Sequence, residues 1–241
     1  NGGEKKKMEI VLTGMLVALI GGILYYAYKK EKIDRSAIVA TVMIGVIFLT
    51  AGGSKWIIAP FIFFVGGSLE TYYKRQKKNR LGVEQSIRTW KNIGANGGAA
   101  MIFALSYICT GDSIFFIGSV GAIATAMADT SATEMGQVWG KHPRFIHNLK
   151  RVSVGTAGAV TKEGFLFALF GSTIISALLI FYGYGTGIFA VCLLSGFAGC
   201  MADSLLGSTL EQKKKINTHE INLITTLLGG FIAMIASIFL F

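Results

Sequence analysis

The sequence is poor in charged residues, in proline and in cysteine, and each shortage excludes a class of protein. Charged side chains make up 15% of the 241 residues, and 52% of the residues are hydrophobic, whereas a soluble domain has about 25% charged residues. The two prolines exclude a proline-rich linker. The three cysteines (Cys109, Cys192 and Cys200) lie in apolar runs and lack the spacing of a disulfide framework or a zinc site. The class that remains is an integral membrane protein.

Apolar segments of membrane-spanning length are what the sequence has in abundance. A helix of about 20 apolar residues crosses the roughly 30 Å hydrocarbon core of a bilayer. Eight such segments predict an all-α, polytopic transmembrane helix bundle, with spans at 8–28, 36–53, 56–73, 93–110, 113–128, 165–182, 186–206 and 221–241. The third span is the weakest because it contains Pro60 and Glu70. Spans two and three could therefore also form a tight hairpin or a partly re-entrant pair.

The lysines and arginines predict how the bundle is oriented. Nineteen of the 23 fall in the loops that follow spans one, three, five and seven. Because cytoplasmic loops carry the excess of Lys and Arg, we expect these loops in the cytoplasm and both termini outside the cell membrane. The net charge of +10 is spread between spans and forms no basic arm. We therefore expect membrane lipids as partners, and no nucleic acid.

Two spans end in nearly the same sequence, Met-Ala-Asp followed by Thr or Ser. These copies place Asp129 and Asp203 near the cytoplasmic ends of spans five and seven. Carboxylates in membrane segments are costly and usually functional, and a helix C-terminus is itself negative. Two acids at two such ends repel unless a cation lies between them, so the pair predicts a divalent metal site. Mg²⁺ is the best candidate because it takes oxygen ligands and keeps waters for a phosphate partner. For either acid alone, an ordinary interfacial residue is the alternative.

Glycine-rich turns precede spans four and six on the same predicted face. They read RTWKNIGANGG over 88–98, which contains Asn96, and KRVSVGTAGAVTKEG over 150–164. Backbone N–H groups at such helix N-termini bind anions, and Lys150 and Arg151 add positive charge. The second turn lacks the ending of a Walker A motif, and either turn alone would also suit a plain connector. Carboxylates, metal and amides on one face nevertheless form the arrangement that phosphoryl transfer requires.

Four motifs in this order resemble one family of integral membrane proteins. They are NGG at 96–98, ADTSATEMG at 128–136, KHPRF followed by KRVSVGTAGAVTKEG, and GCMADSLLGSTLEQ. The family was long known only as a domain of unknown function. It includes the plant phytyl-phosphate kinase of vitamin E synthesis and is similar to the wider group of CTP-dependent polyprenol kinases. The resemblance covers roughly residues 85–241, so we divide the chain into N-terminal transmembrane helices (1–84) and a catalytic transmembrane core (85–241).

The resemblance implies a CTP-dependent kinase that converts an isoprenoid monophosphate of phytyl, geranylgeranyl or farnesyl type to the diphosphate. It implies that the catalytic residues and Mg²⁺ ligands are Asp129, Glu134 and Asp203. From the turns and the resemblance together, the residues expected to bind the phosphates of the nucleotide are Asn96, Lys150, Arg151, Gly155, Thr156, Gly158 and Ser204. Family members often have a proline before the Gly-Thr of this loop, where this chain has Val152, Ser153 and Val154.

Two other functions remain open. A CTP-dependent cytidylyltransferase acting on a lipid phosphate would release pyrophosphate, whereas the kinase releases CDP. A transporter could line an ion or proton pathway with the two Met-Ala-Asp sequences, but its polar residues would be expected at the membrane midplane. The preference for CTP over ATP is implied by the resemblance alone. The glycine-rich faces suit a homo-oligomer as well as contacts within one chain.

Overall fold

The computed structural model of the protein describes residues 2–83 and 87–240, and these residues are mostly helical. The long helices are α1 (Gly2–Lys29), α2 (Arg35–Gly52), α3 (Ser54–Tyr72), α5 (Trp90–Thr110), α6 (Ile114–Trp139), α7 (Lys162–Phe181), α8 (Thr186–Leu206) and α9 (Thr218–Ser237). The short elements are α4 (Arg75–Arg80), strands β1 (Arg144–Phe145) and β2 (Ala159–Val160), a π-helical turn (Gly207–Glu211) and a 3-10 turn (Ile238–Leu240). The predicted all-α bundle is confirmed.

Seven helices in the described residues are long and apolar enough to cross a membrane, namely α1, α2, α5, α6, α7, α8 and α9. Helix α3 lies where the third span is predicted and has 19 residues, but it is not among the seven. Lys55, Pro60 and Glu70 lower its apolarity. The chain is an integral, multi-pass membrane protein. The predicted end of the last span at Phe241, and the predicted domain boundary between residues 84 and 85, lie outside the described residues.

Helix α6 is longer than the apolar run that predicts it. The run ends at residue 128, but the helix continues to Trp139, so Asp129 lies ten residues before its end. The expectation that Asp129 sits at the negative terminus of a helix is therefore wrong, whereas Asp203 does lie near the end of α8 at Leu206. The cause is tertiary packing, because Ser131 and Glu134 are buried by neighbouring helices even though they are polar.

Helix α6 is also the centre of the bundle, since every residue from Phe116 to Ala128 is buried. Small residues let its neighbours approach closely, as is usual between transmembrane helices. A Cβ added to Gly196 of α8 would lie 2.9 Å from the Cβ of Ala124. A Cβ added to Gly171 of α7 would lie 2.8 Å from the carbonyl oxygen of Met127. This close packing brings the polar part of α6 next to the end of α8.

The four loops rich in Lys and Arg meet at one end of the bundle. Hydrogen bonds join these segments in turn: Asp34 N–H to the Arg88 carbonyl oxygen at 3.1 Å, Lys77 Nζ to the Val138 carbonyl oxygen at 2.6 Å, and Gln212 Nε2 to the Ala157 carbonyl oxygen at 3.1 Å. The glycine-rich turns and the last residues of α6 and α8 lie at this same end. The structure therefore brings the predicted site residues to one region of the bundle.

Candidate functional site

Asp129 of α6 and Asp203 of α8, hereafter the acid pair, lie side by side. Their carboxyl groups are close enough to hydrogen-bond to each other. Thr225 Oγ1 of α9 donates to Asp203 Oδ2 at 3.2 Å. When the side-chain amide of Asn222, one turn earlier, is assigned the orientation that satisfies its neighbours, it donates to the same oxygen at 3.3 Å and to the Thr218 carbonyl oxygen at 2.8 Å. The structure thus brings together the two acids of the duplicated Met-Ala-Asp sequence.

Two carboxylates in contact cannot both carry full negative charge at low cost unless a proton or a cation lies between them. The cost is greater inside a membrane segment, where ionisable residues usually mark function. The donors that α9 provides, Thr225 and Asn222, are neutral, so they orient Asp203 without neutralising it. The acid pair could therefore hold either a shared proton or a cation that prefers oxygen ligands.

Glu134, the third predicted metal ligand, lines the same cavity and its charge acts on Asp129, but other side chains hold its carboxylate. Its Oε2 forms an ion pair with Lys78 Nζ at 2.5 Å, with the two side chains 2% and 3% exposed. Its Oε1 accepts a hydrogen bond from Thr71 Oγ1 at 3.0 Å. Along a continuous helix five residues turn by about 500°, so Asp129 and Glu134 point about 140° apart. Within residues 2–83 and 87–240, no three His, Cys, Asp or Glu side chains are grouped to hold a metal ion. The predicted set of three carboxylates is not assembled.

Glu211 is an acid of the site to which sequence reasoning assigned no role. It ends the π-helical turn after α8 and lines the same cavity as the acid pair, and its charge acts on both carboxyl groups. Thr218 Oγ1 donates to its Oε1 at 2.5 Å. The signal was present in the duplication, because an acid follows each Met-Ala-Asp sequence, Glu134 in the first copy and Glu211 in the second.

The glycine-rich loop over residues 154–161, hereafter the glycine loop, reaches the acid pair. Gly155 and Gly158 have φ angles of 84° and 73°, a region that glycine adopts freely. A Cβ on Gly158 would lie 2.6 Å from the Cα of Ser208, so only glycine allows the loop to rest on the turn after α8. As a result Gly155, Thr156 and Gly158, all predicted to bind phosphate, line the cavity that contains the acid pair.

The remaining predicted phosphate-binding residues divide into two groups. Asn96 and Ser204 line the cavity. Lys150 and Arg151 are exposed and are not among the residues that line it. The hairpin explains their position, because the Lys150 carbonyl oxygen accepts from the Phe145 N–H at 3.0 Å and Arg151 bridges the neighbouring strand. That Lys150 and Arg151 bind phosphate stays a prediction, and the structure places both outside the lining of this cavity.

Arg88 supplies positive charge at the cavity instead. It lies in the loop before α5, lines the cavity, and donates from Nη2 to Thr71 Oγ1 at 3.0 Å. Burial lowers the pKa of the Arg88 guanidinium, and the nearby charge of Glu134 raises it in part. An arginine starts from a pKa far above neutrality, so Arg88 keeps its charge. Arg88 is the first residue of the glycine-rich stretch at 88–98, and the sequence has no signal that separates it from the other basic residues of that loop.

The cavity has a volume of about 460 Å³ and continues from the acid pair into apolar surroundings. This apolar groove lies between α2, α3 and α6 and is lined by Ile44, Gly45, Phe48, Ile57, Phe64 and Ile123. Ligand sites in proteins are typically concave and mostly apolar with a few convergent polar groups. The arrangement suits a molecule with an anionic head and a hydrocarbon tail.

Comparison with known proteins shows which membrane proteins this chain is similar to. The family described as integral membrane protein DUF92 matches residues 16–236. An uncharacterised membrane protein of Methanocaldococcus jannaschii is 32% identical, covering 96% of this chain and 98% of that protein. Two Arabidopsis thaliana proteins are also similar: PGR at 27% identity, covering 91% of this chain and 94% of its own length, and the chloroplastic protein VTE6 at 26%, covering 95% and 72%. No solved structure matches the chain.

Proposed function

Since the chain belongs to the DUF92 family of integral membrane proteins, we propose that it is a CTP-dependent kinase that phosphorylates an isoprenoid monophosphate to the diphosphate. The observation that carries the proposal is the cavity, in which the acid pair and the glycine loop adjoin the apolar groove. The resemblance of the four sequence motifs to a family that includes a phytyl-phosphate kinase supports a kinase-type enzyme. The proposal further specifies CTP as the phosphate donor and an isoprenoid monophosphate as the acceptor.

The two ends of the cavity match the two ends of a prenyl phosphate. The hydrocarbon chain would lie in the apolar groove, where side chains such as Phe48 and Ile57 are 1% and 4% exposed. The phosphate would lie at the acid pair, within reach of the glycine loop and Arg88. The groove would remove the hydrocarbon chain from water, or from disordered lipid, and would fix the phosphate head beside the nucleotide. Such positioning makes a two-substrate reaction fast.

The acid pair fits a magnesium ion, because Mg²⁺ in phosphate-transferring sites takes one or two carboxylates together with substrate phosphates and waters. Asp129 and Asp203 would hold the ion, with Glu211 beside them, and a third carboxylate from Glu134 is not needed. When bound, the ion neutralises negative charge on the phosphates of the nucleotide. The fit rests on the contact between the two carboxyl groups, which are otherwise oriented by neutral donors.

The remaining chemistry falls to this chain's own groups. Amides of the glycine loop and the guanidinium of Arg88 would bind the phosphates of CTP, with Asn96 and Ser204 at the walls of the site. An oxygen of the acceptor phosphate attacks the γ-phosphorus, and the bond from that phosphorus to the bridging oxygen of CDP breaks. The acceptor oxygen is already anionic at neutral pH, so no strong general base is required. Orientation and electrostatic stabilisation would supply the catalysis.

We further propose that this end of the bundle faces the cytoplasm of the cell, where CTP is available. The proposal follows from the excess of Lys and Arg in the four loops that meet there. Lys213 is exposed, so Lys213→Cys in a Cys109→Ala background, which removes the exposed native cysteine, tests it with a membrane-impermeant thiol reagent. Labelling only after the membrane is permeabilised supports the orientation, and labelling of intact cells contradicts it.

The activity is tested with purified protein, Mg²⁺ and CTP labelled in its γ-phosphate. Phytyl, farnesyl and geranylgeranyl monophosphates serve as acceptors, and labelled ATP is run in parallel. We expect label in a lipid diphosphate, lowered by at least about 10²-fold in Asp129→Asn, as when a key electrostatic group is removed. Asp112→Asn is the matched control, because Asp112 is an exposed acid in the loop between α5 and α6, and it should retain activity.

Three outcomes would contradict parts of the proposal. Released pyrophosphate with a cytidylyl lipid would make the protein a cytidylyltransferase. Full activity of Asp129→Asn would remove the acid pair from the site. No product with any acceptor or donor, from folded protein, would remove the kinase and leave the transporter as the function to test.

A further inference from the structure

We infer that the apolar groove holds about the first three isoprene units of the chain, and that Phe48 is the floor that sets this length. The inference deepens the proposed function and rests on it, because it concerns the substrate of that same site. It makes α2, a helix outside the four motifs, the part of the protein that determines specificity for chain length.

The depth of the groove follows from helical geometry. Gly67 of α3 packs beside the acid pair, since a Cβ on Gly67 would lie 3.3 Å from Cγ2 of Thr130, the neighbour of Asp129. Ile57 also lines the cavity and is ten residues away on α3, a rise of about 15 Å, and Phe48 packs on the adjacent Trp56. An extended chain advances about 1.2 Å per bond, as in a peptide residue with three bonds, so the four bonds of an isoprene unit span about 5 Å. About three units therefore fit between the acid pair and Phe48.

Aromatic packing closes the deep end of the groove. Phe48 is 1% exposed, and its ring stacks on that of Trp56 with centroids 6.3 Å apart. The Trp56 ring packs in turn on Tyr107 and Phe116, at 4.9 and 5.0 Å. The packing is thus continuous from Phe48 toward the far end of the bundle. A chain longer than the groove has to leave it sideways, so its later units exchange one apolar environment for another and add little to binding.

Gly45 offers a way to shorten the groove without disturbing the protein. It lies three residues before Phe48, on the same face of α2, and lines the cavity. A Cβ built on Gly45 meets no atom within 4 Å, so a larger side chain has room to enter the groove. The neighbouring Val46 is 55% exposed and is not among the lining residues. The same bulk added at Val46 therefore leaves the groove unchanged.

The test measures KM for dimethylallyl, geranyl, farnesyl and geranylgeranyl monophosphates with saturating CTP. In the wild type we expect KM to fall by at least about tenfold for each unit from dimethylallyl to farnesyl and by less than about threefold from farnesyl to geranylgeranyl. In Phe48→Ala the steep fall should extend to geranylgeranyl. In Gly45→Phe it should disappear between geranyl and farnesyl. Val46→Phe, the matched control, should keep the wild-type profile.

The outcomes separate this inference from the function on which it rests. Phe48→Ala removes a buried ring, so if it does not fold, Gly45→Phe carries the test alone. A wild-type profile in folded Gly45→Phe overturns the inference and leaves the kinase standing. If the wild type phosphorylates no prenyl phosphate, the proposed function fails. The rise in melting temperature caused by each of the same four compounds then tests whether the groove binds a prenyl chain. A break at farnesyl that moves to geranyl in Gly45→Phe supports the groove, and no stabilisation by any compound overturns it.

Discussion

Replacing Gly158 by alanine tests the contact that joins the glycine loop to the helix of Asp203. The added Cβ would lie 2.5 Å from the carbonyl carbon of Gly207 and 2.6 Å from the Cα of Ser208. Both are backbone atoms, which cannot rotate away as a side chain can. Carbon atoms in contact prefer separations of about 3.5–4.0 Å, so the loop has to move by roughly 1 Å. We expect this movement to separate the phosphate-binding amides from the acid pair.

A misplacement of about 1 Å in a positioned group can cost about 10²-fold in rate, so kcat/KM for CTP should fall by about that factor in Gly158→Ala. Gly183→Ala is the matched control. Gly183 has a φ of 84° but no atom within 4 Å of its added Cβ, so it carries the backbone strain of about 1–2 kcal/mol without the collision. The assay is phosphate transfer at varied CTP, with the melting temperature of each variant measured alongside. If Gly158→Ala keeps a kcat/KM close to that of Gly183→Ala, the contact does not position the loop and the reasoning is refuted.

Two further predictions concern charges whose roles the structure separates. Lys78→Met should lower the free energy of unfolding by about 3 kcal/mol, because it removes a buried positive charge beside Glu134, and adding Glu134→Gln should restore much of that loss. Denaturation in detergent measures the free energy of unfolding of both variants. Equal losses in the single and the double variant would contradict the coupling between the two side chains. The double variant Lys150→Ala, Arg151→Ala should leave KM for CTP nearly unchanged, whereas Arg88→Ala should raise it by about tenfold or more, since a charge-assisted bond to phosphate is lost. A large rise in KM for the first variant would show that the hairpin closes over the nucleotide.

The parts of the fold that sequence predicts best are those that physics determines locally. A membrane-spanning helix must satisfy its own backbone hydrogen bonds, so a long apolar run implies a helix, as for α7, predicted at 165–182 and observed at Lys162–Phe181. The alternation of helix direction then brought the ends of spans five and seven to the same face. The contact between Asp129 and Asp203 follows from that alternation together with the duplicated sequence.

What the sequence could not show depends on partners distant along the chain. An apolar run marks where lipid contact ends, but a helix continues wherever other helices cover its polar residues. Ser131, beyond the predicted end of span five, donates to the carboxylate of Glu70 on α3 at 2.9 and 3.0 Å. No local pattern reveals that contact. Because the continuation was missed, Glu134 was expected in a loop beside Asp129, whereas the turn of the helix directs it to Lys78.

The partners of each acidic side chain distinguish a structural role from a chemical one. Glu134 has the cation of Lys78 at 2.5 Å, a pair that joins α4 to α6. Asp129 and Asp203 instead meet each other, and Asp203 is oriented by Thr225, a neutral donor. Two charged carboxylates in contact oppose folding, so this arrangement is tolerated where a shared proton or a bound cation offsets the cost. Under the proposed function, Asp129 and Asp203 carry the chemistry, and Glu134 stabilises this end of the bundle.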